Sequence, residues 1–294
     1  TTIEIWIVKL QATRPTVVYS FCRAFGSLGF ALSALCFGKV MAAFGDNMLF
    51  VVHAFFLVLM IFAMLFAEEV PCTNSRSRGE LKESGGKQDS FFDVFKYLLT
   101  NRRYMIFVAS LFLFHITLRC SITFLPMHIR EAGGTSTALG VAIFVYSFAE
   151  YLIILFGGRL LLRRLSYEQM FALALVFQIL RQVSFVAYSS VPFIVATQLL
   201  HAISDGLYLK TFAEYIYSIV PRKIAATASA IAVALTFGLG SVFGNFVGGI
   251  LIEEIGLRAY SVISGLVCVA GLCIFLPSLL GSKTLQKSAQ PAAE

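Results

Sequence analysis

The sequence predicts an all-α polytopic membrane protein with eight transmembrane helices. Two observations carry this. Of the 294 residues, 58% are apolar and only 13% charged, about half the ~25% charged share of soluble domains, and the mean hydropathy is +0.83. The apolar residues also gather into eight stretches, each long enough to supply the roughly 20 residues that a helix needs to cross a bilayer core. This composition excludes a cytosolic enzyme, a disordered tail and a secreted disulfide scaffold. Ten-residue alternating strands, the mark of a membrane β-barrel, are absent.

The first two stretches are 20–44 and 47–66, parted by Gly45, Asp46 and Asn47, a turn-forming run. A polar segment follows over 67–103. It opens with Glu68 and Glu69, passes through Gly85 and Gly86, and reads as a cytoplasmic linker. Near its end, Ser90 with Asp93 is a capping signal, and Phe91, Phe92, Phe95, Leu98 and Leu99 share one helical face. That end is expected to be an interfacial helix. Six more spans are expected at 104–126, 137–160, 168–189, 191–219, 225–252 and 259–281, broken at Gly133-Gly134-Thr135 and Ser189-Ser190-Val191-Pro192. The domain reading is 1–66, 67–103, 104–281 and a cytoplasmic tail at 282–294. Within 225–252, Gly240, Gly244 and Gly248 recur every fourth residue and are expected to let a neighbouring helix approach closely. Five of the six Cys, all but Cys72, fall in the spans with no CxxC spacing and read as small core residues.

The net charge of +7 is explained by its distribution. Sixteen of the 23 Lys and Arg fall on one side of the expected bundle, while only Lys39, Arg130 and Arg258 fall on the other. The positive-inside rule then places both chain ends and the linker in the cytoplasm. An even number of spans requires the ends to share a side, so topology and charge agree. The basic balance is an orientation signal and predicts no nucleic-acid partner.

Four cations remain inside spans, Arg23, Arg119, Arg181 and Lys210, together with Glu150, Asp205, His115 and His201. An ionisable group at the bilayer centre costs about 2.5–3.5 kcal/mol even on insertion scales. Such groups therefore call for a polar interior: a substrate and proton pathway, or else snorkelling ends and structural ion pairs. Glu150 and Arg181 lie too deep to snorkel easily. His201 and Asp205, spaced i and i+4, share one face, and histidine beside a carboxylate can relay protons near neutral pH. Arg119 lies in the outer half of its span, where snorkelling and function are both open. The P-loop, HExxH, GxSxG and CxxCH motifs are absent, so ATP-driven, metal-hydrolytic, acyl-transfer and haem chemistry have no support in the sequence.

Six spans after a cytosolic linker, preceded by the end of another bundle, resemble the major facilitator superfamily. Gly158, Arg159, Arg163 and Arg164 form a reduced version of its cytoplasmic loop motif. The resemblance makes the eight spans equivalent to helices 5–12 of that fold. The chain then looks N-terminally truncated, with 1–66 a remnant of the N-terminal half. The stretch from Tyr19 through Arg23, Gly26, Ser27 and Gly29 to Phe30 resembles the fifth helix of the oligosaccharide–proton symporters (the lactose-permease group) and of phenylpropionate-permease-like proteins. That resemblance implies substrate binding by Arg23, with Glu4 as its partner. It also implies a role for Glu150 in both substrate binding and proton coupling, and matches Arg181 and His201 to coupling residues. Glu214, Tyr215, Tyr217 and Ser218 follow at the family's spacing.

The departures are specific. Phe30 stands where the permease has its sugar-stacking Trp, Ser204 where it has the proton-carrying Glu, and Gln198 where it has a Lys. Arg119 and Ser121 occupy the region of its seventh-helix Asp pair. Asp205 is one position beyond Ser204, about 100° around the helix.

The function expected from this is proton-coupled symport of a small organic solute such as a sugar, nucleoside or aromatic acid, by alternating access. Arg23, Phe30, Glu150 and Glu4 would bind the solute, and Glu150, Arg181, His201 and Asp205 would couple protons. The expected partners are the solute, protons and lipid, with no cofactor beyond the proton gradient, and the full-length protein is expected to work as a monomer. Proton-driven efflux and a non-transporting membrane sensor or scaffold are the alternatives.

Overall fold

The computed structural model describes residues 19–45, 47–66, 91–157, 165–187 and 190–288. Among these residues ten helices run in order: α1 (Tyr19–Phe44), α2 (Met48–Leu65), α3 (Phe91–Thr100), α4 (Arg102–Thr123), α5 (Leu125–Glu131), α6 (Ser136–Leu152), α7 (Tyr167–Ala187), α8 (Val191–Ile219), α9 (Arg222–Val233) and α10 (Ser241–Ser288). Wide π-helical turns extend α6 over Ile153–Gly157 and join α9 to α10 over Ala234–Gly240. No strand occurs among the described residues. Glu4, most of the linker, and Gly158, Arg159, Arg163 and Arg164 lie outside them.

Six described stretches are long and apolar enough to cross a membrane: Ala24–Phe44, Met48–Leu65, Arg102–Thr123, Ser136–Phe156, Tyr167–Ala187 and Arg222–Leu280. The expected eight differ from these in two places. Helix α8 has the length, at 29 residues, but Gln198, His201, Asp205, Lys210 and Glu214 dilute its apolar character. The expected spans 225–252 and 259–281 form one 59-residue run, in which Gly256 alone leaves helical geometry, at φ 84° and ψ 167°. Only glycine adopts that conformation without steric cost. Helix α10 also continues to Ser288, beyond the expected span end at 281.

Helix α3 forms where an interfacial helix was expected, but its buried side is Val94 and Leu98, while Phe92, Phe95 and Leu99 are exposed. The core lies among α4, α7, α8 and α10. There Phe107 sits 5.0 Å from Phe171 and 4.8 Å from Tyr215, and Phe275 packs 4.9 Å from Phe171. The glycine stripe of α10 faces α4, and a Cβ on Gly244 would lie 2.8 Å from Cys120 Sγ and 2.9 Å from the Ile116 carbonyl. Helix α1 meets α6 backbone to backbone. A Cβ on Gly140 would lie 2.6 Å from the Ala34 carbonyl and 2.9 Å from Gly38 Cα.

Candidate functional site

The polar residues of the spans fall into two neighbouring groups, and α8 contributes to both. One faces α6. Gly206 has no side chain to hold the helices apart, and a Cβ there would lie 2.6 Å from Ile153 Cγ2. This close approach, at the π-helical turn of α6, brings Asp205 within reach of Tyr146. The Tyr146 hydroxyl donates to Asp205 Oδ2 at 2.9 Å, and its ring lies 4.7 Å from the His201 imidazole. Glu150, one turn along α6 from Tyr146, is 5% exposed and acts on it electrostatically. His201 is fully buried, and neither ring nitrogen has a hydrogen-bond partner among the described residues.

The second group lies between α4, α7 and α8. Arg181 is fully buried, and its Nη2 donates to Gln198 Oε1 at 3.2 Å and to the Ser121 carbonyl at 3.4 Å. Its guanidinium also lies 4.8 Å from the centre of the Phe185 ring. The opposite amide atom of Gln198, Nε2, donates to the Ile194 carbonyl at 2.9 Å, which fixes the oxygen toward Arg181. Ser121 Oγ accepts from Gln182 at 2.6 Å and Gln178 at 3.2 Å and donates to the Thr117 carbonyl at 2.7 Å. One hydroxyl thus uses its donor and both its lone pairs.

The two groups differ because of one helical step. Ser204 points at α7 and donates to the Ala174 carbonyl at 2.7 Å, whereas Asp205, about 100° further round, turns to α6. The structure therefore brings His201 and Asp205 together around Tyr146, while the hydrogen bonds of Arg181 go to Gln198 and Ser121. Phe30 is 57% exposed and lines a separate groove of about 480 Å³ with Phe37, His53, Phe56 and Ile143. Arg23 lies on α1, with its side chain outside the described structure, and Glu4 lies outside the described residues.

Two participants, Tyr146 and Phe237, escaped the sequence reading. Tyr146 is an unexceptional tyrosine in an apolar run until α8 comes alongside. Phe237, in the second π-helical segment, carries the guanidinium of Arg119 at 4.7 Å and lies 4.2 Å from His115. Arg119 itself, ambiguous by depth alone, acts electrostatically on Tyr146, His201 and Tyr208. Both π-helical segments thus border the polar groups, a placement frequent at functional sites. Among the described residues, no group of three or more His, Cys, Asp or Glu could hold a metal ion.

An apolar multi-pass bundle enclosing arginines, carboxylates and histidines agrees with what the chain is similar to. Residues 4–262 match the MFS_1 like family. The chain is 23% identical over 277 residues to the uncharacterized transporter YwbF of Bacillus subtilis (strain 168), covering 93% of this chain and 65% of that protein. It is 27% identical over 260 residues to the maltose permease of Geobacillus stearothermophilus, covering 88% of this chain and 62% of the permease. The chain thus spans less than two thirds of the length of either relative. With a match over most of its length, this integral, multi-pass membrane chain belongs to the MFS_1 like family of major facilitator transporters.

Proposed function

We propose that the protein is a proton-coupled secondary transporter that takes up a small organic solute by alternating access. In this reading the chain contributes eight spans, helices 5–12 of the fold: α1, α2, α4, α6, α7, α8 and the two parts of the long run divided at Gly256. Both ends and the linker face the cytoplasm, and the full-length protein acts as a monomer. The solute site lies near the bilayer midplane, as in related folds, and is served by Arg23 and Glu150. Glu150, Arg181, His201 and Asp205 carry the coupling.

The observation that best supports proton coupling is the set of contacts around Tyr146. A carboxylate, a phenol and an imidazole meet where α6 and α8 come together, with a second, buried carboxylate, Glu150, one turn away. Where a carboxylate is buried, as Glu150 is, changes in the distance of a neighbouring cation alter its proton affinity strongly. Helix rocking that moves Arg119 or Arg181 relative to Asp205 and Glu150 would thereby bind or release a proton.

The test is uptake by the full-length protein in proteoliposomes carrying an inward proton gradient, with radiolabelled maltose, uridine and benzoate as probes. Accumulation of at least one probe should fall about tenfold or more with a protonophore, and again with Glu150→Gln. Accumulation that ignores both would overturn the coupling.

A further inference from the structure

We propose that the corner between α3 and α4, together with the turn between α8 and α9, is a docking site for the headgroup of an anionic phospholipid. The inference needs only that the chain spans a membrane. It goes beyond the transport reading and does not rest on it.

At 100° per residue, the apolar side chains of α3 from Val94 and Leu98 round to Phe95, Leu99 and Phe92 cover an arc of about 160°. The bundle takes one side of that arc. Val94 and Leu98 are buried, whereas Phe92, Phe95 and Leu99 are 79%, 40% and 52% exposed. Lys96 stands next to Phe92 on the exposed side. A helix with apolar residues turned outward and a cation at their edge suits the boundary between acyl chains and headgroups.

The ends of two spans are tied together at this corner. Asn101 interrupts the helix with φ −76° and ψ 98° and caps α4 by accepting from the Tyr104 amide at 3.2 Å. Its Nδ2 donates to the Ile219 carbonyl at the end of α8, at 3.0 Å, and the Tyr104 hydroxyl donates to the Ala228 carbonyl of α9, at 2.8 Å. This gathers Lys96, Arg102, Arg103, Arg222 and Lys223, all exposed. Against these five cations, segments 91–104 and 219–224 hold one carboxylate, Asp93. Arg103 and Glu168 of α7 both act electrostatically on Tyr215, so Arg103 is partly balanced, and the site is argued from Lys96, Arg102 and Arg222.

Arg102 and Arg222 open stretches apolar enough to cross a membrane, which puts them at the depth where hydrocarbon gives way to phosphate. An anionic phospholipid meets both features. Its phosphate suits the guanidinium donors, and its acyl chains continue the apolar surface of Phe92, Phe95 and Leu99. A soluble phosphate compound would answer to the charge alone.

Lipid binding to the delipidated full-length protein in detergent, read by native mass spectrometry, tests this. Dioleoyl phosphatidylglycerol should bind about tenfold or more tighter than dioleoyl phosphatidylcholine, each cation near the headgroup supplying roughly fivefold. Lys96→Gln combined with Arg102→Gln and Arg222→Gln should abolish that preference. Lys39→Gln combined with Arg130→Gln and Arg258→Gln, on the other side of the bundle, should keep it. Phe92→Ser with Phe95→Ser, which leaves every charge in place, should weaken both lipids alike. Should the first triple variant not accumulate, Arg102→Gln and Arg222→Gln singly should each lower the preference roughly fivefold. The proposal is overturned if the two lipids bind equally, if the first set of variants keeps the preference, or if the second loses it. Displacement of phosphatidylglycerol by excess inorganic phosphate, added as its ammonium salt, would assign the cations to a free anion instead. A dimer that Phe92→Ser with Phe95→Ser dissociates would assign the exposed face to a second copy, and would equally overturn the proposal.

Discussion

Helices α2 and α4 are similar in length and unlike in almost everything else. Of the two, α2 is the more apolar, yet none of its 18 residues is buried. Helix α4 carries His115, Thr117, Arg119 and Ser121 among its apolar residues, and eleven of its 22 residues are buried. In water the greasier helix would be the better buried. In a bilayer, lipid tails solvate leucine and phenylalanine as well as protein does, so apolar content gives no reason to associate. Helices are drawn together by close packing and by polar groups that need partners. Among the described residues the polar α4 packs inside and the apolar α2 is exposed, in a chain that spans less than two thirds of the length of its relatives.

The same substitution at two positions tests this contrast most directly. Phe107, fully buried, has the rings of Phe171 and Tyr215 within about 5 Å. Phe107→Ala should destabilise the folded protein by about 3–5 kcal/mol, the usual cost of emptying an aromatic site, as read from unfolding in bicelles. A loss there no larger than at an exposed α2 phenylalanine would mean that packing density does not separate the two regions.

Next in size is the polar join. Ser121→Ala removes the acceptor that Gln178 and Gln182 share. Both glutamines are buried, so the cost should be about 1–3 kcal/mol. Unchanged stability would indicate that other groups take up those donors, and that this hydroxyl does not hold α4 to α7.

The smallest effect is expected on α2. Phe50 is 74% exposed, and Phe50→Ala should shift stability by no more than about 0.5 kcal/mol. A larger loss, comparable to that at Phe107, would show that another surface covers α2 in the assembled protein, and would sharpen the contrast into one between two kinds of interface.

Much of the fold was legible because its breaks are chemically marked. Gly45 and Gly133 stand at expected breaks between spans and have φ of 85° and 77°, the left-handed conformation that favours glycine. The expected spans also left a gap between 252 and 259, and Gly256 lies within it. Helix α8 was legible as a helix, whereas its polar residues keep it from standing out as a span by hydropathy. Within the site, sequence could flag Glu150, Arg181, His201 and Asp205 because charge is rare and costly in such surroundings. It could not show which of them touch.

The sequence by itself determined a membrane protein, its helical segments, the breaks between them and the small set of charges enclosed within. These follow from local composition and from the cost of exposing backbone or charge to hydrocarbon. Only the tertiary structure decided that Tyr146 binds Asp205, that Arg181 turns to Gln198 and Ser121, and that Phe237 supports Arg119. Those pairings depend on the rotation and spacing of helices far apart in the chain. These are set by close contacts such as Gly206 against Ile153 and Gly244 against Cys120; the glycine stripe marks a close approach at Gly244, but no local pattern in the sequence says which helix it meets.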